Sequence, residues 1–144
     1  MVVATSNAAQ TEHLDLKSLP DGWVEARRLT YGEKLQRRAM VSGLKIKMQD
    51  RRRKGQSDDM EGEMNMVNEA ATLFDFQKCI VDHNLEALIE GPVPVGDNGE
   101  APQTRKLDLT NASDIKKLDP RVGEEIDTWL SELNNFEESE EGED

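Results

Sequence analysis

The stretch 14–41, LDLKSLPDGWVEARRLTYGEKLQRRAMV, constrains the fold of this chain more than any other. Leu14, Leu16 and Leu19 stand apolar among polar neighbours, as in a half-buried strand. Pro20-Asp21-Gly22 follows. Proline presets φ and glycine enters positive φ without steric cost, so a tight turn is expected there with Gly22 as its permissive residue. Trp23 and Val24 open a second strand that the pattern carries to about Leu29. Thr30 and Glu33 then have capping-box spacing: the Thr30 hydroxyl can accept an N–H of the first helical turn while Glu33 reaches back. Strand, turn, strand and capped helix are thus specified in one short run. None of these residues is a nucleophile, a metal ligand or a phosphate cradle in any recognisable setting.

The capped helix is expected over 31–53, with Tyr31, Leu35, Ala39 and Ile46 along one face, Leu44 and Met48 beside it, and Gly43 as an interruption. A polar linker at 54–63 precedes a second helix over 64–83. Its residues Met66, Val67, Ala70, Leu73, Phe74, Ile80 and Val81 recur at helical spacing and mark it as the centre of the core, with Met64 and Met66 as gap-fillers. Residues 85–89 form a short apolar patch. In 90–102, proline and glycine forbid a helix, and Asp97-Asn98-Gly99 marks a turn. A short strand over 106–109 and a short helix over 111–118, capped by Asn111 or Ser113, come next. Asp119 and Pro120 then suit the start of a last helix, in which Val122, Ile126, Trp129, Leu130 and Leu133 fall on one face and which Asn134 ends.

The pattern predicts an α+β fold: an N-terminal β-hairpin followed by a mainly helical domain of about three helices. Residues 1–13 read as a flexible tail, 14–135 as a single domain with the polar linker at 54–63, and 136–144 as an acidic disordered tail. Apolar residues make up 35% of the chain and aromatic ones 4%, so the expected core is small.

Charge is strongly segregated. Residues 23–56 carry a net +8, whereas 57–144 carry −18, within a total of −12. Such blocks either neutralise each other, within or between copies, or serve partner binding and solubility. Cys79 is the only cysteine, so no internal disulfide is available. The sequence shows neither a secretory leader nor an apolar run of bilayer length, and a soluble protein of a reducing cytoplasm is expected, with no membrane partner.

Chemical signals are few. Cys79 and His83 have i, i+4 spacing and would share one side of a helix, but zinc needs three or four ligands and no second pair exists. A Cys–His nucleophile pair lacks an orienting residue. Neither phosphate-loop pattern is present. No catalytic residue, no metal ligand and no cofactor are therefore assigned. Arg51, Arg52, Arg53 and Lys54 form the strongest basic patch. Arginine forks suit phosphates, yet no aromatic residues interleave to stack bases, so an acidic partner is preferred over nucleic acid. The stripe Val122, Ile126, Trp129, Leu130 and Leu133 has two readings: a helix packed on the core, or a protein-binding face anchored by Trp129.

The layout resembles the tail assembly chaperones of long-tailed bacteriophages. The resemblance lies in LPDGWVEARRLTYGEKLQRRA at 19–39, LFDFQKCIVDHNL at 73–85, the loop GPVPVGDNGEAP and the closing KLDPRVGEEIDTWLSEL, in the family's element order over about 14–133. It implies a non-enzymatic protein of the host cytoplasm that coats the tape-measure protein while the tail tube polymerises and is absent from the mature virion. It also implies a frameshifted long form as a second partner, and homo-oligomers are compatible with it. The rival expectations are a virion structural protein, such as a tail-completion or connector subunit, and a small nucleic-acid-associated regulator using the basic patch.

Overall fold

The computed structural model describes residues 2–5, 10–55, 60–89 and 103–135. The expected turn at Asp97-Asn98-Gly99 and the acidic tail 136–144 lie outside them. Within them the chain is α+β, with an N-terminal β-hairpin followed by helices and further strands.

Strands β1 (Glu12–Asp15) and β2 (Trp23–Ala26) pair antiparallel, with Glu12 opposite Ala26 and Asp15 opposite Trp23. The first strand therefore begins at Glu12, inside the segment read as a flexible tail. Pairing to β2 orders it, and the His13 ring stacks on Trp23 at 5.5 Å. The turn is closed by the Gly22 N–H, which donates to the Leu19 carbonyl at 3.0 Å. Its positive φ sits at Asp21 (φ 67) and not at Gly22, which corrects the expected division of labour. Proline at the second position with positive φ at the third is the type II pattern, and a short polar side chain tolerates that conformation. Gly22 is required by space instead. A Cβ there would meet side-chain atoms of Leu16 and Leu19 and the Leu19 carbonyl oxygen, all at 3.1 Å.

Helix α1 (Tyr31–Arg53) runs unbroken through Gly43. Helix α2 (Met60–Cys79) begins four residues earlier than expected and stops at Cys79, not His83. The next four residues leave as β3 (Ile80–His83) and pair with β2, making a three-stranded sheet with β2 in the middle. Ile80 and Val81 fit a helical stripe by spacing, but both are β-branched, and the open edge of β2 offers them backbone partners. Val81 and the two methionines Met64 and Met66 are exposed, so the methionines fill no gap.

Helix α2 is the centre of the molecule. It packs against α1, β3, the short helix α3 (Ala112–Ile115) and the last helix α4 (Pro120–Asn134). Phe74 and Phe76 are two residues apart and thus point in directions roughly 200° apart on a helix. Both are buried, as is Asp75 between them. A helix enclosed on opposite sides needs no single apolar stripe.

Residues 85–89 contain β4 (Glu86–Leu88), which pairs antiparallel with β5 (Thr104–Lys106). The strand thus lies ahead of the expected 106–109, and Leu107 and Leu109 turn into the core. Asn111 caps α3 by accepting the Ser113 N–H at 2.8 Å. Asp114 joins α3 to the ribbon through two 2.8 Å contacts with the Arg105 guanidinium and one with the Asp108 N–H. The Arg105 charge, helped by that N–H, holds the Asp114 carboxyl well below its usual range.

Helix α4 (Pro120–Asn134) starts at Asp119, whose carboxylate accepts the Arg121 N–H. Its last residue is a buried polar junction. The Asn134 side-chain oxygen accepts the Leu29 N–H at 2.8 Å, its amide donates to the Leu130 carbonyl at 2.9 Å and to Cys79 Sγ at 3.6 Å. Its main-chain carbonyl accepts Lys34 Nζ at 2.9 Å. One residue so links the exit of the hairpin, the start of α1, the end of α2 and α4. Asn134→Ala leaves the buried Leu29 N–H without an acceptor, and a loss of about 1–3 kcal/mol is expected. Urea unfolding followed by circular dichroism checks it; the midpoint should fall with the slope unchanged.

Candidate functional site

Helix α1 is tied to the rest of the molecule by ion pairs as well as by buried apolar residues. At its start the expected capping box is present: Thr30 Oγ1 accepts the Glu33 N–H at 3.1 Å and Glu33 accepts the Thr30 N–H at 3.0 Å. The Arg27 guanidinium grips the same Glu33 carboxylate at 2.8 and 2.9 Å. That cation, with the Thr30 donors and against the effect of burial, holds the Glu33 pKa down to about 2. In the middle, Arg37 meets Asp75 of α2 at 2.8 and 3.2 Å. Near the end, Arg52 Nε lies 3.1 Å from a carboxylate oxygen of buried Glu63. The charges are adjacent, although the angle is not that of a hydrogen bond.

Glu33, Arg37 and Arg52 occupy the same side of α1 as Met40, Val41, Leu44 and Met48, all at least half-buried. The face of Tyr31, Leu35, Ala39 and Ile46 read from the sequence is thus not the one that α1 turns inward. Arg37 and Leu35 are two residues apart and so face in nearly opposite directions. With Arg37 turned inward to Asp75, the residues Tyr31, Leu35, Ala39 and Ile46 face outward. Tyr31 is 69% exposed, Leu35 45% and Ile46 65%. From Tyr31 to Ile46 the stripe is about 22 Å long at the α-helical rise. Lys45 and Lys47 flank Ile46, and Arg53 lies further along; all three are exposed and have no acidic partner among the described residues. An apolar stripe edged by cations on a rigidly held helix is suited to receive an amphipathic, acidic helix.

The residues singled out by sequence are placed differently. Val122, Ile126, Leu130 and Leu133 are buried in the core, and Trp129 is half-buried against it. The α4 stripe is therefore spent on packing, and the protein-binding reading of that face is corrected in favour of the packed one. The basic patch is divided. Arg52 turns inward to Glu63, Lys54 pairs with Asp50 at 3.1 Å, and Arg51 and Arg53 point roughly 200° apart. Cys79 and His83 do not share a helix. The Cys79 thiol is pushed up to about 12, first by burial, and a neutral buried thiol is a poor nucleophile. The His83 ring accepts the Leu85 N–H at 3.0 Å through Nδ1, and burial lowers its pKa. Among the described residues no three His, Cys, Asp or Glu side chains stand together as a metal site, and no helix is long and apolar enough to cross a membrane.

Sequence reasoning missed Asp75 and Asn134. Asp75 carried no readable signal: it falls opposite the face of Met66, Ala70, Leu73 and Ile80 and so reads as an acid turned to solvent. Asn134 carried none beyond its place at a helix end. A second open feature is an apolar groove of about 450 Å³ between the β4–β5 ribbon and the start of α4, lined in part by Leu19, Leu88, Leu118 and Val122. Comparison with known proteins finds no matching family model, no similar curated protein and no similar solved structure.

The Glu33 carboxylate gives a pH signature. Its folded pKa of about 2 lies below the unfolded value, so its stabilising effect is full above about pH 4.3 and is lost as pH falls toward 2. Glu33→Gln should therefore lower stability near neutrality but flatten the acid limb. Urea unfolding of both proteins from about pH 6 down to about pH 2.5 checks this, with the gap between them expected to narrow in acid.

Proposed function

We propose that this chain is a non-enzymatic assembly chaperone of a long-tailed phage, acting in the host cytoplasm on the tape-measure protein during tail morphogenesis. The observation that carries the binding role is the exposed stripe of Tyr31, Leu35, Ala39 and Ile46 on α1. A helix whose inner side is pinned by ion pairs can offer that stripe without rearranging, which lowers the ordering cost of association. A long helical client exposes apolar seams before it is packed in the tube. Covering such a seam with this stripe, with client acids meeting Lys45, Lys47 and Arg53, would keep the client soluble.

The choice of client rests on the resemblance of residues 14–133 to the tail assembly chaperones, not on the geometry. The same resemblance extends the reading to a frameshifted long form as a second partner, to homo-oligomers and to absence from the finished virion.

Pull-down of tagged full-length chain from infected cells, with bound proteins identified by mass, tests the reading. A long helical tail protein is expected as the main partner. Leu35→Glu with Ile46→Glu should reduce its capture at least about tenfold, a loss of about 1.4 kcal/mol of binding. Because both positions are exposed, the unfolding midpoint should change little. Recovery of capsid or tail-tube proteins, with this chain also in purified virions, would replace the chaperone by a structural tail-completion or connector subunit. Retention of nucleic acid alone, lost when Arg51, Arg53 and Lys54 are neutralised, would replace it by a regulator.

A further inference from the structure

The β4–β5 ribbon has an open edge beside an apolar groove. The Leu107 N–H donates to the Leu85 carbonyl at 3.0 Å, and the Ile89 N–H to the Gln103 carbonyl at 3.1 Å. Both pairs continue the register in which Glu86 faces Lys106 and Leu88 faces Thr104. Bonded and unbonded pairs alternate along an antiparallel ladder. Leu85, Ala87 and Ile89 therefore bond toward β5, while the N–H and C=O of Glu86 and of Leu88 point away from it. These four groups have no partner among the described residues.

The open side is the side of the groove. Glu86, Ala87 and Leu88 line it, whereas Thr104, Arg105 and Lys106 of β5 do not. Its other walls include Leu19, Leu85, Leu107, Leu118 and Val122, and its volume of about 450 Å³ is ample for an apolar side chain. Leu19, Leu88 and Ile89 leave apolar surface exposed around it. Ala87 packs against the core, so Glu86 and Leu88 project from the opposite face of the ribbon. Lys106, across from Glu86, is taken by Asp82 at 3.0 Å. Glu86 itself has no cation partner among the described residues.

We propose that the open edge of β4 is a strand-addition site for an extended segment of a partner protein, apolar at two successive positions and basic at the third. Antiparallel pairing is the more stable orientation per residue. Laid that way, the segment sets its first apolar residue opposite Leu88. The second, opposite Ala87, points to the inner face of the ribbon and enters the groove. The third, a Lys or Arg, meets the unpaired Glu86. The four free backbone groups supply affinity for any extended chain, and the groove and the Glu86 charge supply selection. The site is separate from the α1 face, which is suited to a helix, and failure at one leaves the other standing.

The test uses the full-length ¹⁵N chain and the peptide acetyl-Thr-Val-Leu-Lys-Thr-amide at millimolar concentration. Hydrogen exchange is read by NMR at the Glu86 and Leu88 amides. Expected is fast exchange in the free chain and a slowing of at least about tenfold at both amides with the peptide present. Leu88→Pro removes an edge donor but no bond to β5, so the ribbon should persist while the slowing at Glu86 is lost. A peptide N-methylated at its valine should fail in the same way on the unchanged chain. Glu86→Lys should reverse the preference, toward the peptide with Glu in place of Lys. Slow exchange at both amides in the free chain overturns the proposal. Slowing that rises with protein concentration alone also overturns it, in favour of a second copy. Exchange that the peptide leaves unchanged overturns it too, as does slowing that survives Leu88→Pro or the N-methyl group, or a peptide preference that Glu86→Lys does not move.

Discussion

The ion pair between Arg37 and Asp75 sets the orientation on which the rest of this structure depends. Asp75 is 2% exposed and stands between two buried phenylalanines. An ionised carboxylate in that place is tenable only with a cation and good hydrogen bonds, and Arg37 supplies both in a forked contact. Because a helix is a rigid rotor, bringing Arg37 inward settles where every other side chain of α1 points. Leu35 and Ile46 go out to solvent as a consequence of where one charge has to go. The buried pair is weak grounds for extra stability, since an apolar pair of similar shape could do as well. Its effect is on which face is presented.

The segregation of charge along the chain is resolved on the same terms. Some of the basic block is neutralised by the acidic block within one molecule: Arg37 by Asp75, and Arg52 by Glu63. Arg27 is satisfied inside the basic block itself, by Glu33. Lys45, Lys47 and Arg53, on the outer part of α1, have no acidic partner among the described residues. Neither of the two opposing accounts of charge segregation is therefore sufficient alone. Internal pairing explains the inner side of α1, and partner binding is the use proposed for the outer side.

The hairpin, the capping box and the amphipathic helix α4 were legible in the sequence because each is written in neighbouring residues. Thr30 and Glu33 find one another three residues apart, and Asp119 and Pro120 start α4 whatever surrounds it. Even so, the turn shows how local reading goes astray: Asp21 takes the positive φ while Gly22 is needed for the closeness of Leu16 and Leu19. The length of α2 was not legible. Its periodicity continues through Ile80 and Val81, and only the edge of β2, some fifty-five residues earlier in sequence, turns those residues into a strand. The candidate site was misplaced for a related reason. α4 and α1 both carry apolar stripes, and periodicity alone does not say which stripe the core consumes.

What the sequence by itself determined is the list of elements at the start and end of the chain, the placing of their caps, and the existence of two stripes with opposite charge around them. These follow from torsional preference and from hydrogen bonds that span three or four residues. The tertiary structure alone decided that α4 packs its stripe inward, with Ile126 and Leu130 fully buried, while α1 turns its stripe outward. The physical reason is that hydrophobic burial is non-directional and would accept either stripe. The buried charge of Asp75 and the donor and acceptor groups of Asn134 accept only partners in one geometry, and those partners lie far away along the chain.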